Sequence, residues 1–272
     1  MTSVPTTAAR RGDALQLTPA EARAWREEGY FVRREQFGAD ELARLRDAAD
    51  AAERTAIDAC ADGRSYLLDG RRFVDVGPVT VQFEQAPDRP VVKVIEPVSE
   101  IEPAFSALID DARLVAPLCD LLGTRTLSLW TDKLNLKRPG VGSGFGWHQD
   151  SPYWIHDCAH VDLLPNVMVS FDDAHADNGC LRVIRGSHGA GCLPGTDDGT
   201  QLGGFYTDPS RFDRSAEVAL AVPAGSLIFF SPHLVHGSLP NSSPEPRRAM
   251  VLTYQPGAHP TLKTRCLRPV RT

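Results

Sequence analysis

The pattern of apolar and polar positions changes period once along the chain, near residue 124. Before it, Leu42, Leu45, Ala49, Ala52 and Ala56 recur at steps of three and four. They form one face of a helix that starts at Asp40 and ends near Gly63. Leu114, Val115, Leu118, Leu121 and Leu122 predict a second helix over 111–122 in the same way. A shorter helix is predicted from Thr18 to about Glu28. In Thr18-Pro19-Ala20-Glu21 a hydroxyl stands at the N-cap, proline at the first helical position and a reciprocating glutamate at the third. Gly29 ends that helix, and Tyr30-Phe31-Val32 reads as a first strand. Beyond residue 124, short β-prone runs follow at 125–137, 166–172, 180–185, 217–222, 226–231 and 248–255. Turn signals such as Pro139-Gly140, Asn178-Gly179 and Pro223-Ala224-Gly225 separate them. This spacing predicts a β-sandwich or barrel with helices placed before it.

The length of 272 residues suits one domain, expected over 18–272. Residues 1–17 are small, polar and aperiodic, and are expected to be a disordered tail. With 29 Lys+Arg against 35 Asp+Glu, for a net charge of -6, the chain lacks the basic footprint that a phosphate backbone requires, so no nucleic-acid partner is expected. No apolar run approaches the roughly 18 residues that cross a bilayer, and Arg10-Arg11 is followed by no apolar signal segment. A cytoplasmic protein without a membrane partner is expected. The six cysteines stand singly, without a CxxC pair, which predicts free thiols.

The chemistry concentrates in Gly146-Trp147-His148-Gln149-Asp150. In an extended backbone, residues i and i+2 share a face, so His148 and Asp150 can bind one ion. His236 follows the apolar run Leu227-Ile228-Phe229-Phe230 and offers a second imidazole. Two imidazoles and one carboxylate, leaving the opposite positions open, are the donor set of non-haem Fe(II) and O₂ chemistry. Eleven residues further on, Arg247 begins a strand, where a guanidinium could hold a dicarboxylate bidentately. Its neighbour Arg248 could take that role by a shift of one residue. His188 is expected to bond backbone rather than metal, and His156, Cys158 and His160 read as surface loop.

Several stretches, in order, resemble the phytanoyl-CoA dioxygenase family of Fe(II)/2-oxoglutarate-dependent oxygenases. They are Leu136-Lys137-Arg138-Pro139-Gly140, His148-Gln149-Asp150-Ser151-Pro152-Tyr153-Trp154, Asp172-Asp173-Ala174, Asn178-Gly179-Cys180-Leu181, Gly186-Ser187-His188 and His236-Gly237-Ser238, then Asn241 and Arg247-Arg248. Gly29-Tyr30-Phe31-Val32 resembles the family's opening, so the likeness covers about 18–257. It implies a mainly β fold with flanking helices, a double-stranded β-helix or jelly roll. It implies that His148, Asp150 and His236 are the catalytic metal ligands. Arg247 would bind the remote carboxylate of 2-oxoglutarate, assisted by Ser238, with Asn135 and Lys137 reaching the cosubstrate. Tyr153 and Trp154 are the expected substrate-wall residues. Met168 stands where many relatives carry tryptophan. The implied cofactors are Fe(II), 2-oxoglutarate and O₂, and the implied reaction is hydroxylation of a small molecule. Desaturation, epoxidation, cyclisation or peroxide formation on the same iron stays open, as does a non-catalytic ligand-binding β-helix. The Ala-, Arg- and Asp-rich composition points toward a bacterial specialised metabolite as substrate.

Overall fold

A computed structural model describes residues 15–86 and 89–271. The expected disordered start lies outside the described residues up to position 14. Its last positions are held: the carbonyls of Leu15 and Gln16 accept from the Arg33 guanidinium at 2.9 and 2.7 Å.

Helix α1 (Pro19–Glu28) is capped as its sequence predicts. Thr18 Oγ1 accepts from the Glu21 N–H, and the Glu21 carboxylate accepts from the Thr18 N–H. Gly29 closes the helix at φ 85°, a left-handed conformation that glycine adopts at little cost. Strand β1 (Tyr30–Arg33) and the long helix α2 (Ala39–Ala59) follow. Ala49, Ala52 and Ala56 are fully buried on one face of α2, so small side chains let the helix lie close to the sheet.

Four strands come next, none of them predicted: β2 (Arg64–Leu68), β3 (Arg71–Val76), β4 (Val79–Phe83) and β5 (Val92–Glu96). They form an antiparallel meander. Its signal was present in Asp69-Gly70, where both residues take positive φ (48° and 73°), as a tight hairpin turn requires. Two helices, α3 (Ser106–Ile109) and α4 (Ala112–Leu122), lead into β6 (Leu127–Lys137). The remainder is β7 (Phe145–His148), the one-turn helix α5 (Ser151–Trp154), β8 (Asn166–Ser170), β9 (Arg182–Ile184), β10 (Glu217–Ala219), β11 (Leu227–Phe230), β12 (His236–Ser238) and β13 (Arg247–Pro256).

The strands form two antiparallel sheets, a jelly roll with helices on one side. The large sheet runs β1-β11-β8-β13-β6-β5-β4-β3-β2 and the small one β10-β9-β12-β7. The central strands of the large sheet, β11, β8 and β13, are buried on both faces. Val167, Val169, Leu227, Phe229, Met250 and Leu252 pack toward the helices, while their neighbours Met168, Ile228, Phe230 and Val251 pack toward the small sheet. A strand covered on both sides reads as an unbroken apolar run, which explains Leu227-Ile228-Phe229-Phe230. No helix among the described residues is long and apolar enough to cross a membrane.

Phe229 is fully buried and stacks on Phe31, with ring centroids 4.5 Å apart. Phe229→Ala is expected to lower the unfolding free energy by about 3–5 kcal/mol, since the ring removed leaves a cavity in a packed layer. Urea denaturation measures this, and a loss below about 1 kcal/mol would mean that the helix-side core is not packed as described.

Candidate metal centre

The small sheet and the turn after it bring His148, Asp150 and His236 together, with one donor atom from each lying within 4.8 Å of the others. His148 ends β7 and His236 begins β12, and the two are direct cross-strand partners. Their rings stand 4.1 Å apart between centroids. Each Nδ1 lies against the carbonyl two residues earlier in its own chain, Gly146 at 2.7 Å and Leu234 at 2.9 Å. That fixes both rings and leaves each Nε2 free as a ligand atom.

Asp150 reaches the same point by a route different from the one expected. The strand stops at His148, and Asp150 lies in helical conformation (φ -80°, ψ -30°) at the start of α5. A turn, not strand alternation, places its carboxylate. The turn is held where the Asp150 and Ser151 N–H groups both donate to the Pro232 carbonyl at 3.0 Å. Asn166 Nδ2 donates to Asp150 Oδ2 at 2.9 Å, and the Lys133 ammonium stands 3.9 Å from Oδ1. Gln149, fully buried, donates to the Gly191 and His233 carbonyls and accepts from the Leu193 N–H. It thereby ties the loops on both sides of the centre to the motif.

The electrostatics suit a cation. Burial, with His236 alongside, pushes His148 down to about 3, so the ring is neutral and its lone pair available at neutral pH. Burial alone would raise the Asp150 carboxyl, but His236 and Lys133 outweigh it and hold the group below its usual range. Metal binding requires these protonation states. Two imidazoles and a carboxylate from this arrangement fit iron, with further coordination positions left to small ligands.

The centre opens into a cavity of about 230 Å³. Arg247 lines it and is 3% exposed. One of its terminal nitrogens donates to the Gly179 carbonyl at 2.6 Å, while the buried Nε has no protein partner. Burial pushes the guanidinium down to about 10, which still leaves it cationic at neutral pH. A buried cation that lines a cavity beside the metal donors, and whose fork protein acceptors only partly fill, fits a carboxylate ligand. Arg248 turns to the opposite face of β13 and pairs with Asp172 and Asp50.

Asn135 and Ser238 also line the cavity. Lys137 does not, a correction to the expectation that it reaches the cosubstrate directly. Its ammonium is buried against Ser238 Oγ, at 2.8 Å, and the Leu239 carbonyl. Burial, with Arg247 and Lys93 nearby, pushes it down to about 6, and its donation to Ser238 Oγ orients that hydroxyl. Tyr153 lines the cavity, stacked on Phe205 at 4.4 Å. Trp154 is the second correction: it is 1% exposed and packs edge-on against Trp130, away from the cavity. Successive helical residues diverge by about 100°, so a one-turn helix sends Tyr153 and Trp154 in different directions.

The sequence reading missed Lys133, Asn166 and Gln149. It also missed most of the cavity floor, where Phe73, Gln82 and Val94 of β3, β4 and β5 stand in register with the expected Asn135 of β6. Lys133, Asn135 and Lys137 are polar at alternate positions between Leu134 and Leu136, a pattern that could have revealed the inward face of β6. Among the described residues, His148, Asp150 and His236 form the only cluster that could hold a metal. His188 lies instead 3.2 Å from the Arg26 carbonyl.

The model of the family described as phytanoyl-CoA dioxygenase (PhyH) matches residues 25–249. Ectoine dioxygenase of Sphingopyxis alaskensis is 29% identical over 259 residues, covering 88% of this chain and 76% of that protein. 2-Aminoethylphosphonate dioxygenase of an uncultured bacterium, HF130_AEPn_1, is 33% identical over 135 residues, covering 50% of this chain and 48% of that protein. The chain spans about half the length of this and other curated relatives it matches. Among solved structures, EctD from S. alaskensis with 2-oxoglutarate and 5-hydroxyectoine superposes with TM-score 0.67 at 24% identity, over 92% of this chain and 79% of that one. The superposition places the fold among jelly rolls of this kind. The family match takes in all three donor residues and Arg247, so this chain belongs to the phytanoyl-CoA dioxygenase family of 2-oxoglutarate-dependent non-haem iron oxygenases.

Proposed function

We propose that this protein is an Fe(II)- and 2-oxoglutarate-dependent dioxygenase that hydroxylates a C–H bond of a small organic molecule. The observation that carries the reading is the convergence, in one cavity, of three metal donors and a buried guanidinium whose Nε has no protein partner. Bound iron would supply the reductive activation of O₂, coupled to decarboxylation of 2-oxoglutarate. The overall balance is substrate C–H, 2-oxoglutarate and O₂ giving alcohol, succinate and CO₂.

The chain's own residues do the rest. His148, Asp150 and His236 would hold the metal, while Arg247 and Ser238 would grip the remote carboxylate of 2-oxoglutarate and Asn135 would contact it from β6. Phe230, Met168 and Leu181 line the inner wall with apolar surface that limits water. Tyr153 stands where a substrate would pass. A cavity of about 230 Å³ suits a small metabolite, and bacterial specialised metabolites are the substrate class to screen first. Succinate release under Fe(II), ascorbate and O₂ tests the reading. Stoichiometric succinate and oxygenated product support it, and no 2-oxoglutarate consumption with any substrate, in iron-loaded protein, overturns it.

A carboxylate in the third protein position leaves no vacancy there for a halide. With substrate, 2-oxoglutarate, O₂ and chloride all supplied, the product is expected to gain one oxygen atom and show no chlorine isotope pattern in its mass spectrum. Asp150→Gly is expected to lose most hydroxylation. A glycine variant as active as the parent would remove Asp150 from the ligand set.

A further inference from the structure

The meander that precedes β6 lines the cavity, and it carries an arginine with no carboxylate partner among the described residues. Arg71 begins β3, two residues before Phe73, and shares that residue's face toward the cavity. Its guanidinium donates to the Tyr206 hydroxyl at 2.6 Å and makes no ion pair among the described residues. An arginine has five N–H donors, so most of this fork is unused. The other cations of the cavity are differently placed. Lys133 stands 3.9 Å from both Glu96 and Asp150, and Arg247 faces the inner end.

Tyr206 fixes how far Arg71 lies from the metal donors. Its backbone bridges to His148, and its ring lies over Gly146, where an added Cβ would come within 2.8 Å of the ring carbons. The hydroxyl at the far end of that ring is the atom Arg71 holds. The guanidinium is thus one tyrosine side chain away from the strand that carries His148. Phe73, Tyr153 and Tyr206 give the space between an aromatic wall.

We infer that Arg71, with the Tyr206 hydroxyl, is a specificity-determining subsite for an anionic oxyacid group of the substrate, a carboxylate or a phosphonate, whose apolar body lies against Phe73 and Tyr153 toward the metal. A planar fork suits either acid, and a partly enclosed cavity strengthens the charge-assisted contact relative to water. The inference rests on the dioxygenase reading of the same cavity.

Calorimetric titration of the Fe(II)-loaded protein under nitrogen, saturated with 2-oxoglutarate, tests it with phenylacetate, phenylphosphonate and the neutral phenylacetamide. At least one of the two anions is expected to bind the parent at least tenfold more tightly than the amide. Arg71→Met is expected to abolish that preference, and Arg71→Lys to restore part of it. Equal binding of anions and amide by the parent, or an anion preference that survives in Arg71→Met, overturns the inference. If the methionine variant does not fold, the lysine variant decides: full retention of the preference refutes a fork-specific contact. A separate titration of 2-oxoglutarate into the parent guards the underlying reading. Failure there counts against the dioxygenase assignment, whereas failure of the anion arm alone counts against Arg71.

Discussion

Replacing His236 with alanine is expected to abolish stable iron binding and 2-oxoglutarate turnover together. His236 is buried at the start of β12, directly opposite His148, with its Nδ1 against the Leu234 carbonyl. Alanine removes one of three protein ligands and leaves His148 and Asp150, a poor site for a divalent ion. Groups that only orient a ligand cost roughly 10–100-fold in metal affinity when lost, so a ligand itself should cost more than about 100-fold. Iron content after gel filtration and succinate release measure the two effects. Far-UV circular dichroism checks that the variant is folded. His156→Ala is the control, because His156 is exposed on the loop after α5 and belongs to no donor cluster among the described residues. A folded His236→Ala protein that retains iron at the parental level removes His236 from the centre.

The second large effect is on the cosubstrate. Arg247→Leu is expected to raise the 2-oxoglutarate concentration for half-maximal turnover at least tenfold. The guanidinium is buried, cationic at neutral pH, and has its Nε turned to no protein acceptor. A charge-assisted contact of this kind is worth on the order of 1.5–3 kcal/mol, and tenfold corresponds to about 1.4 kcal/mol. Arg247→Lys is expected to fall between parent and leucine, since an ammonium offers a point charge in place of a fork. Arg248→Leu provides the contrast. It breaks the pair with Asp172, whose carboxylate also accepts from Arg46, so stability falls while the 2-oxoglutarate requirement stays put. An unmoved requirement in Arg247→Leu, with Arg248→Leu impaired instead, would reverse the assignment of the two arginines.

That pair of arginines shows what the chain could not say alone. Two adjacent residues on a strand point to opposite faces, and which face meets the cavity depends on the register of β13 against β6 and β8. Because β13 is buried on both sides, apolar alternation along it does not name the inward face. Packing decided it, with Arg248 drawn to Asp172 and Asp50 and Arg247 left inside.

What the sequence determined by itself was whatever depends on neighbours in the chain. The hydroxyl and carboxylate of Thr18 and Glu21 cap α1 across three residues, and Gly29 ends it through its own φ. The small apolar stripe of α2 lies on one face because helical period alone puts it there. The His148, Asp150 and His236 set was legible as residue types in recognisable contexts, although the reason given for Asp150 was wrong. Extended alternation would have served, but the chain turns after His148, and the Pro232 carbonyl holds that turn from a segment more than eighty residues away. The tertiary structure likewise decided that Trp154 joins Trp130 in the core while Tyr153 faces the cavity, and that Lys137 serves Ser238. It alone brought Arg71, Phe73 and Gln82 beneath a site whose motifs lie more than fifty residues further on. These choices rest on long-range register and burial, in which a side chain's surroundings are supplied by distant strands, and no local pattern encodes which of them will arrive.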